Sequence, residues 1–385
     1  MANTYLFTSE SVGEGHPDKL CHQISDAILD EALKLQQDAR VAIETFASNG
    51  VIIIGGEMTL KKGYIDIQEV ARGIVKKVGY DNPDYGLDYK SCGIMSNINH
   101  QSPDIALGVD EKANHEMGAG DQGMMFGYAC KETPELMPAP IMFSHQIMIK
   151  ASEVRHNGDI SFLRPDGKCQ VTVEYKDGKP FRIHTVVLSH QHDPDVSYDD
   201  LKEELIEKVI KVALPEKLLD NKTIYLVNPT GRFVAGGPMA DTGLTGRKIV
   251  VDTYGGAGKV GGGSFSGKDP SKVDRSAAYV ARYICKNLVA AGIAEKCELE
   301  LAYAIGVAMP VSINLNFFGT GKYPEESVVE IIKKVFPLKP KDIITVLDLQ
   351  KPIYLSTSIY GHFGRDNFSW EKTDKVEEIL KELKK

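Results

Sequence analysis

The sequence predicts an α/β protein of the α+β type, made of three similar domains in approximate threefold relation. Three observations carry this expectation. An order of helix, strand, strand and helix recurs three times, with the first helices starting near residues 17, 139 and 270. Units of this kind pack their helices on one face of a sheet. The chain of 385 residues also has room for two or three domains at roughly 150 residues each. Identity between the three copies is negligible, so the repeat is one of element order, and such an order also arises by coincidence.

Each element has a local reason. An extended segment from Tyr5 ends at Gly13-Glu14-Gly15, and a helix follows with Pro17 in its first position, where a missing N–H costs nothing. Leu20, Ile24, Ala27, Ile28 and Leu35 keep helical spacing to about Gln36. Strand-like runs at 40–47 and 51–60 join through Asn49-Gly50, a strong hairpin signal, and a helix over 66–78 closes the unit. In the second unit an amphipathic helix over 139–154 precedes strands at 170–175 and 181–188, turning at Asp177-Gly178, and a helix over 198–212. The third has a helix over 270–290, strands at 298–305 and 311–317, and a helix over 325–336. Residues 372–385 read as a charged, solvated helix.

Residues 99–123 have no clear period and contain Pro103, Gly108, Gly118, Gly120 and Gly123. A loop this long inside a compact protein is more often functional than structural. A lid over an active site and plain disorder both fit it. The domains expected are 1–102, a lid and linker at 103–117, 118–234 and 235–385, with elements free to be exchanged between them.

Composition narrows the function. Hydrophobic residues at 42% and charged residues at 25% describe an ordinary globular protein. A net charge of −8 argues against a general nucleic-acid binder, which needs a basic excess. No apolar run reaches transmembrane length, and the N-terminus lacks signal-peptide regions, so no membrane partner is expected. The six cysteines are scattered without a C-x-x-C pair, which suits reduced thiols in the cytoplasm.

The densest signal is residues 255–274. Seven glycines fall at 255, 256, 258, 261, 262, 263 and 267, so this backbone can fold back and bring its N–H groups close to a ligand. The run stops at Asp269-Pro270, which reads as an N-cap and first helical residue, with Lys268 and Lys272 bracketing the start. Cations at the positive end of a helix dipole cost stability unless an anion sits among them. Together these features describe a polyphosphate site. An ordinary P-loop is excluded: Asp269 stands where a Mg²⁺-binding hydroxyl belongs, and no apolar strand precedes the glycines. A flexible surface loop with a routine helix cap is the alternative.

Other candidates are weaker alone. His16, Asp18 and Lys19 converge on one helix start as an imidazole donor, a carboxylate able to hold Mg²⁺ and an ammonium, or merely cap it. Asp166-Gly167-Lys168 has the composition of a turn. Phe233 can stack on a purine or fill a core, and Arg247-Lys248 offers adjacent cations. His190 and His192 alternate at a strand end and read as surface. No G-x-S-x-G, H-E-x-x-H or kinase catalytic-loop pattern supplies a nucleophile–base pair.

The strings at 7–12, 14–19, 118–127, 229–233, 243–254 and 261–275 resemble methionine adenosyltransferase (the S-adenosylmethionine synthetase family), and the match runs from about residue 5 to 374. Ser264 departs from the pattern, since members usually carry Ala there; a hydroxyl beside the adenine alters contacts without abolishing activity. The resemblance implies a reaction between ATP and L-methionine: the thioether sulfur attacks C5′ and expels tripolyphosphate, which is cleaved to phosphate and diphosphate. A thioether has no proton to lose, which accounts for the missing base.

The resemblance also implies roles. His16 would hydrogen-bond the departing oxygen, and Lys168, Arg247, Lys248, Lys268 and Lys272 would surround the triphosphate with Asp166 alongside. Arg232 and Phe233 match the adenine side; Ser264 lies near the same base. Asp121 and Asp241 correspond to residues near ribose and methionine, and Glu57, Gln101 and Lys272 to the methionine side. Asp18 and Asp274 correspond to Mg²⁺ ligands, two ions per site, and Glu44 to a K⁺-site carboxylate. Residues from about Gln101 to Asp110 would be the lid. A homodimer with active sites at its interface, pairing into a homotetramer, is implied as well. An ATP-dependent phosphotransferase, which needs a base for an attacking hydroxyl, and an adenine-nucleotide sensor remain as other readings of the same cationic cradle.

Overall fold

The structure is a computed structural model and describes residues 3–102 and 116–385. The expected lid therefore lies outside the described residues, except for Gln101 and Ser102, as does all of the expected linker but Glu116 and Met117.

The chain forms three sheets. The first third supplies β1 (Thr4–Val12), α1 (Pro17–Leu35), β2 (Arg40–Ser48), β3 (Val51–Thr59), α2 (Ile67–Val78) and β4 (Gly93–Asn99). The second supplies β5 (Gly123–Cys130), α3 (Ala139–His156), β6 (Leu163–Lys176), β7 (Lys179–His192), α4 (Tyr198–Glu204) and β8 (Ile224–Val227). The last supplies β9 (Gly243–Leu244), α5 (Ile249–Asp252), α6 (Val273–Ala290), β10 (Lys296–Tyr303), β11 (Ser312–Asn316), α7 (Glu325–Val335), α8 (Pro340–Val346) and α9 (Val376–Glu382).

The sheets run β4-β3-β2-β9, β1-β6-β7-β8 and β11-β10-β5, and each contains one strand from another third of the chain. β9 pairs with β2, β1 with β6 and β5 with β10, all antiparallel. The exchange closes a cycle: every third lends its first strand to a neighbour. Short-range pattern cannot announce such pairings, because a strand's partner is chosen by tertiary packing and not by its own period. Both hairpins form where expected. Gly50 has φ +69°, and Asp177 and Gly178 both take positive φ, the geometry of a two-residue turn matched to strand twist.

One apolar core runs through the first and last thirds, and a second fills the space between α3, α4 and the sheet of β1, β6, β7 and β8. On β2, Val41, Ile43, Thr45 and Ala47 are buried while Glu44 faces out, the alternation of a half-buried strand. α1 is buried almost throughout, Asp18, Lys19, His22 and Asp26 included. Polar groups at that depth need partners. Asp26 finds Arg275, whose two terminal nitrogens donate to its oxygens at 2.8 and 3.1 Å.

Several expectations change. α3 is buried on nearly all sides over its first half and is not a surface amphipathic helix, because Gly361 and Gly364 bring the C-terminal segment against His145 and Met142. Asp166, Gly167 and Lys168 lie within β6, not in a turn, at an irregular stretch of pairing. His190 and His192 are buried, because β7 runs on to His192, Gly167 and Asn228 close on His190, and the Phe233 loop covers His192. The 270–290 helix begins at Val273, and Asp269 caps nothing there. Its carboxylate is taken by Val41 N–H at 2.7 Å, Ser271 N–H at 2.8 Å and Lys272. The terminal helix is shorter than expected.

Candidate active site

α1 starts at a group of charged and polar side chains. His16 precedes it with extended backbone, and its Nδ1 accepts Asp18 N–H at 3.1 Å, one of the donors a helix leaves unpaired. The ring is 4% exposed. Burial, then the positive charges of Lys248, Lys168 and Lys19, hold its pKa down to about 3 against the opposing pull of Asp18. The ring is therefore neutral, and with Nδ1 accepting, its one proton sits on Nε2 as a hydrogen-bond donor.

Asp18 accepts Leu244 N–H at 2.9 Å and Lys248 Nζ at 2.5 Å, with Arg247 at 3.9 Å. Burial alone would raise its pKa, but Lys248 and the Leu244 N–H prevail and bring it below the ordinary value. The 243–248 segment reaches α1 because Gly243 lies on Pro17; a Cβ at 243 would stand 2.1 Å from the Pro17 oxygen.

A second grouping sits at the start of α6. Lys268 meets Asp274 at 2.6 Å, and Lys272 meets the buried Asp269 at 2.5 Å. Asp269 stays below its ordinary pKa despite burial, chiefly through the charge and hydrogen bond of Lys272. Gly267, at φ +82°, makes this possible: a Cβ would stand 1.9 Å from Ile43 O, whose residue donates its N–H to Gly267 O at 3.0 Å. Lys268 thereby bridges Ala42, which stands opposite Glu57 in the β2–β3 register.

Packing also demands most glycines of the tract. Gly255, Gly258, Gly261, Gly263 and Gly267 are glycines because protein atoms crowd the place a Cβ would take, while Gly262 alone in the tract faces nothing within 4 Å. Gly263 lies against the Asp274 carboxylate, and the adjacent Ser264 lies against Gly246. The tract thus touches both charged groupings. Among the described residues, no hydrogen bond or ion pair joins a charged side chain of one grouping to a charged side chain of the other.

The remaining candidates divide between them. Asp166 is buried beside Lys168 and Asp241, accepts Gly237 N–H at 2.9 Å, and is raised to about 6 by burial against the pull of Gly237 and Lys168. Gln191 joins Asp166 N–H to Val234 O, and His192 exchanges two backbone-directed hydrogen bonds with Phe233, both 3.0 Å. Phe233 is half-buried and Arg232 exposed. On the second side, Asp121 is exposed next to Gly120, which packs on Ser271. Gln101 N–H donates to Thr59 Oγ1 at 3.0 Å at the end of β3. Glu44 and Glu57 line the open face of β2 and β3 with Phe46, Ile53 and Leu244. Among the described residues, no group of three or more His, Cys, Asp or Glu side chains is placed to hold a metal ion by itself.

Family models of S-adenosylmethionine synthetase match the chain end to end: the N-terminal domain over residues 4–103, the central domain over 116–233 and the C-terminal domain over 235–372. The chain belongs to the S-adenosylmethionine synthetase family. It is 60% identical over 383 residues to the S-adenosylmethionine synthase of Treponema denticola, covering 98% of both chains. It is 55% identical over 383 residues to that of Desulfosudis oleivorans, again covering 98% of both. For this synthetase-family chain the sequence motifs reach most charged side chains of the two groupings. They miss His22 and His192, buried imidazoles that accept N–H groups of Gly246 and Phe233 at 3.0 Å. Nothing local marks either as more than a polar residue on a helix or strand end.

Proposed function

We infer that this synthetase makes S-adenosylmethionine from ATP and L-methionine, and that the reaction takes place against the two charged groupings. The methionine sulfur donates a lone pair to ATP C5′, the C5′–O bond breaks, and its electrons leave with tripolyphosphate. Water then cleaves tripolyphosphate to phosphate and diphosphate. The sulfur becomes a sulfonium without losing a proton, so the protein's task is to receive negative charge.

The observation that carries this reading is His16: a neutral ring with an Nε2 donor, buried among Lys248, Lys168 and Lys19. A donor aimed at developing charge is worth on the order of 100-fold in rate. Lys168, Arg247, Lys248, Lys268 and Lys272 serve the triphosphate, and Asp166 orients that side. Arg232, Phe233 and Ser264 serve the adenine, Asp121 and Asp241 the ribose and methionine, and Glu57 and Gln101 the methionine.

Asp18 and Asp274 suit Mg²⁺. Each is a hard oxygen donor that now holds an ammonium in the place of a cation, and Mg²⁺ is commonly held by one or two carboxylates plus substrate phosphates. Two ions there would neutralise triphosphate charge. Glu44 suits K⁺ by the same donor chemistry. The open face of β2 and β3, with Ile53 and neighbouring Met95 exposed, supports pairing with a second copy and a homodimer that doubles to a tetramer. Six buried, unpaired cysteines support a cytoplasmic location. No helix among the described residues is long and apolar enough to cross a membrane.

Incubation with ATP, methionine, Mg²⁺ and K⁺ tests the reading. Sulfonium product with phosphate and diphosphate is expected; ADP alone, as from a phosphotransferase, or binding without turnover, as from a sensor, would reject it.

A further inference from the structure

We propose that His22 is a positioning residue, whose imidazole, by accepting the Gly246 N–H, aims the chain carrying Arg247 and Lys248 independently of Asp18. The proposal rests on the reading of Asp18 and Lys248 as groups that engage metal and triphosphate. Leu244 N–H at the end of β9 and Lys248 Nζ beyond it both bind the same Asp18 carboxylate, at 2.9 and 2.5 Å. The Lys248 contact must open when that carboxylate takes a metal and the ammonium takes a phosphate. The Gly246 N–H, which His22 Nε2 accepts at 3.0 Å, has no part in that exchange.

Gly246 is the bend itself. It has φ +89°, and Ser264 fills the side where a Cβ would project. Thr245 before it is held in place by its N–H to Thr45 O at 3.0 Å. Fixing the next N–H therefore sets the direction in which Arg247 and Lys248 leave β9.

The ring is prepared for this by its surroundings. His22 is fully buried one turn into α1. Its Nδ1 lies 3.5 Å from Asp252 Oδ2 and 3.5 Å from Lys19 Nζ, and Lys19 is ion-paired to the other Asp252 oxygen. With Nε2 accepting, the ring's proton belongs on Nδ1, toward Asp252. Burial and the charges of Lys19 and Lys248 keep the ring uncharged. A protonated ring would turn Nε2 into a donor facing another donor.

Glutamine places a carbonyl oxygen near the Nε2 position, whereas leucine offers no acceptor. In the full-length enzyme, His22→Leu is expected to lower kcat by about tenfold or more, with the KM for methionine within about threefold. His22→Gln should recover most of that loss. A leucine variant that keeps kcat, or a folded glutamine variant as slow as the leucine one, would overturn the proposal. Should the leucine variant not fold, ¹⁵N spectra of histidine-labelled wild type decide. An unprotonated, hydrogen-bonded Nε2 that persists on adding Mg²⁺ and tripolyphosphate supports it; an Nε2–H tautomer, or loss of that bond on addition, refutes it. Absence of sulfonium product from the wild type would instead reject the functional reading, and the spectra would still decide for or against His22.

Discussion

Lys248 and Asp18 meet at 2.5 Å at the start of α1, although 230 positions separate them in sequence. The contact joins an ammonium expected to bind phosphate to a carboxylate expected to bind metal. Each group thus satisfies the other, which limits the cost of holding both in a buried place. Lys268 and Asp274 repeat the arrangement at the start of α6.

The Asp18 pair has a defined pH range. Its folded pKa lies below the ordinary value, so its stabilisation is present above the unfolded carboxylate range and is lost as pH falls through the lower folded value. The melting-temperature gap between wild type and Asp18→Asn should be flat from pH 8 to 5 and shrink below about pH 4. A gap that widens on acidification would contradict the assignment.

Asp166 should behave in the opposite sense. Burial lifts it to about 6, so ionising it costs stability that sets in as pH rises from about 4 through 6. Asp166→Asn is expected to melt no lower than wild type at pH 8, with its relative advantage fading toward pH 4, while turnover drops. Thermal melts across that range, paired with product assays, read both effects.

His16→Asn should cripple adenosyl transfer more than hydrolysis of added tripolyphosphate, by about 100-fold or more in the first step. The two steps are measured separately with ATP plus methionine and with tripolyphosphate alone. A parallel fall in both would mean that His16 serves the phosphates generally and not the departing oxygen.

Lys268→Ala is expected to lower the chemical rate far more than the melting temperature, because this lysine is part-exposed and its ion pair among the described residues is with Asp274. Gly263→Ala should resemble it. A Cβ there would stand 2.0 Å from the Asp274 carboxyl carbon and displace that carboxylate. Turnover against Mg²⁺ concentration, beside a melting curve, distinguishes a moved ligand from a damaged fold.

Arg275→Met should act on folding itself. It strands Asp26 without the guanidinium that contacts it at 2.8 and 3.1 Å, deep inside the molecule. Loss of one partner of such a pair costs roughly 3–5 kcal/mol. Denaturant midpoints should fall accordingly, and unchanged midpoints would show that Asp26 is neutralised by other means.

Legibility differed among the elements for physical reasons. The β2–β3 and β6–β7 hairpins were readable because Asn49-Gly50 and Asp177-Gly178 carry their turn geometry in two residues. The start of α1 was readable because Pro17 and the His16 cap are local. The start of α6 was misread, since Asp269 has every local property of a cap and spends its carboxylate on Val41 instead. His190 and His192 were misread for the same kind of reason: polarity suggests surface, but Gly167 and Asn228 close on His190 and the Phe233 loop covers His192.

By itself, then, with β4, β5, β8 and β9 left unread, the sequence determined the α/β class, the recurring helix–strand–strand–helix order, the family, and the clustering of glycines and cations along the chain. These follow from backbone preference, periodicity and charge, all properties of neighbours along the chain. The tertiary structure alone decided that each sheet takes a strand from another third of the chain, that the tract's glycines mostly admit protein atoms, and that Lys248 closes on Asp18 and His22 on Gly246. Those outcomes depend on burial and on which distant groups meet, and neither quantity exists until the chain has folded.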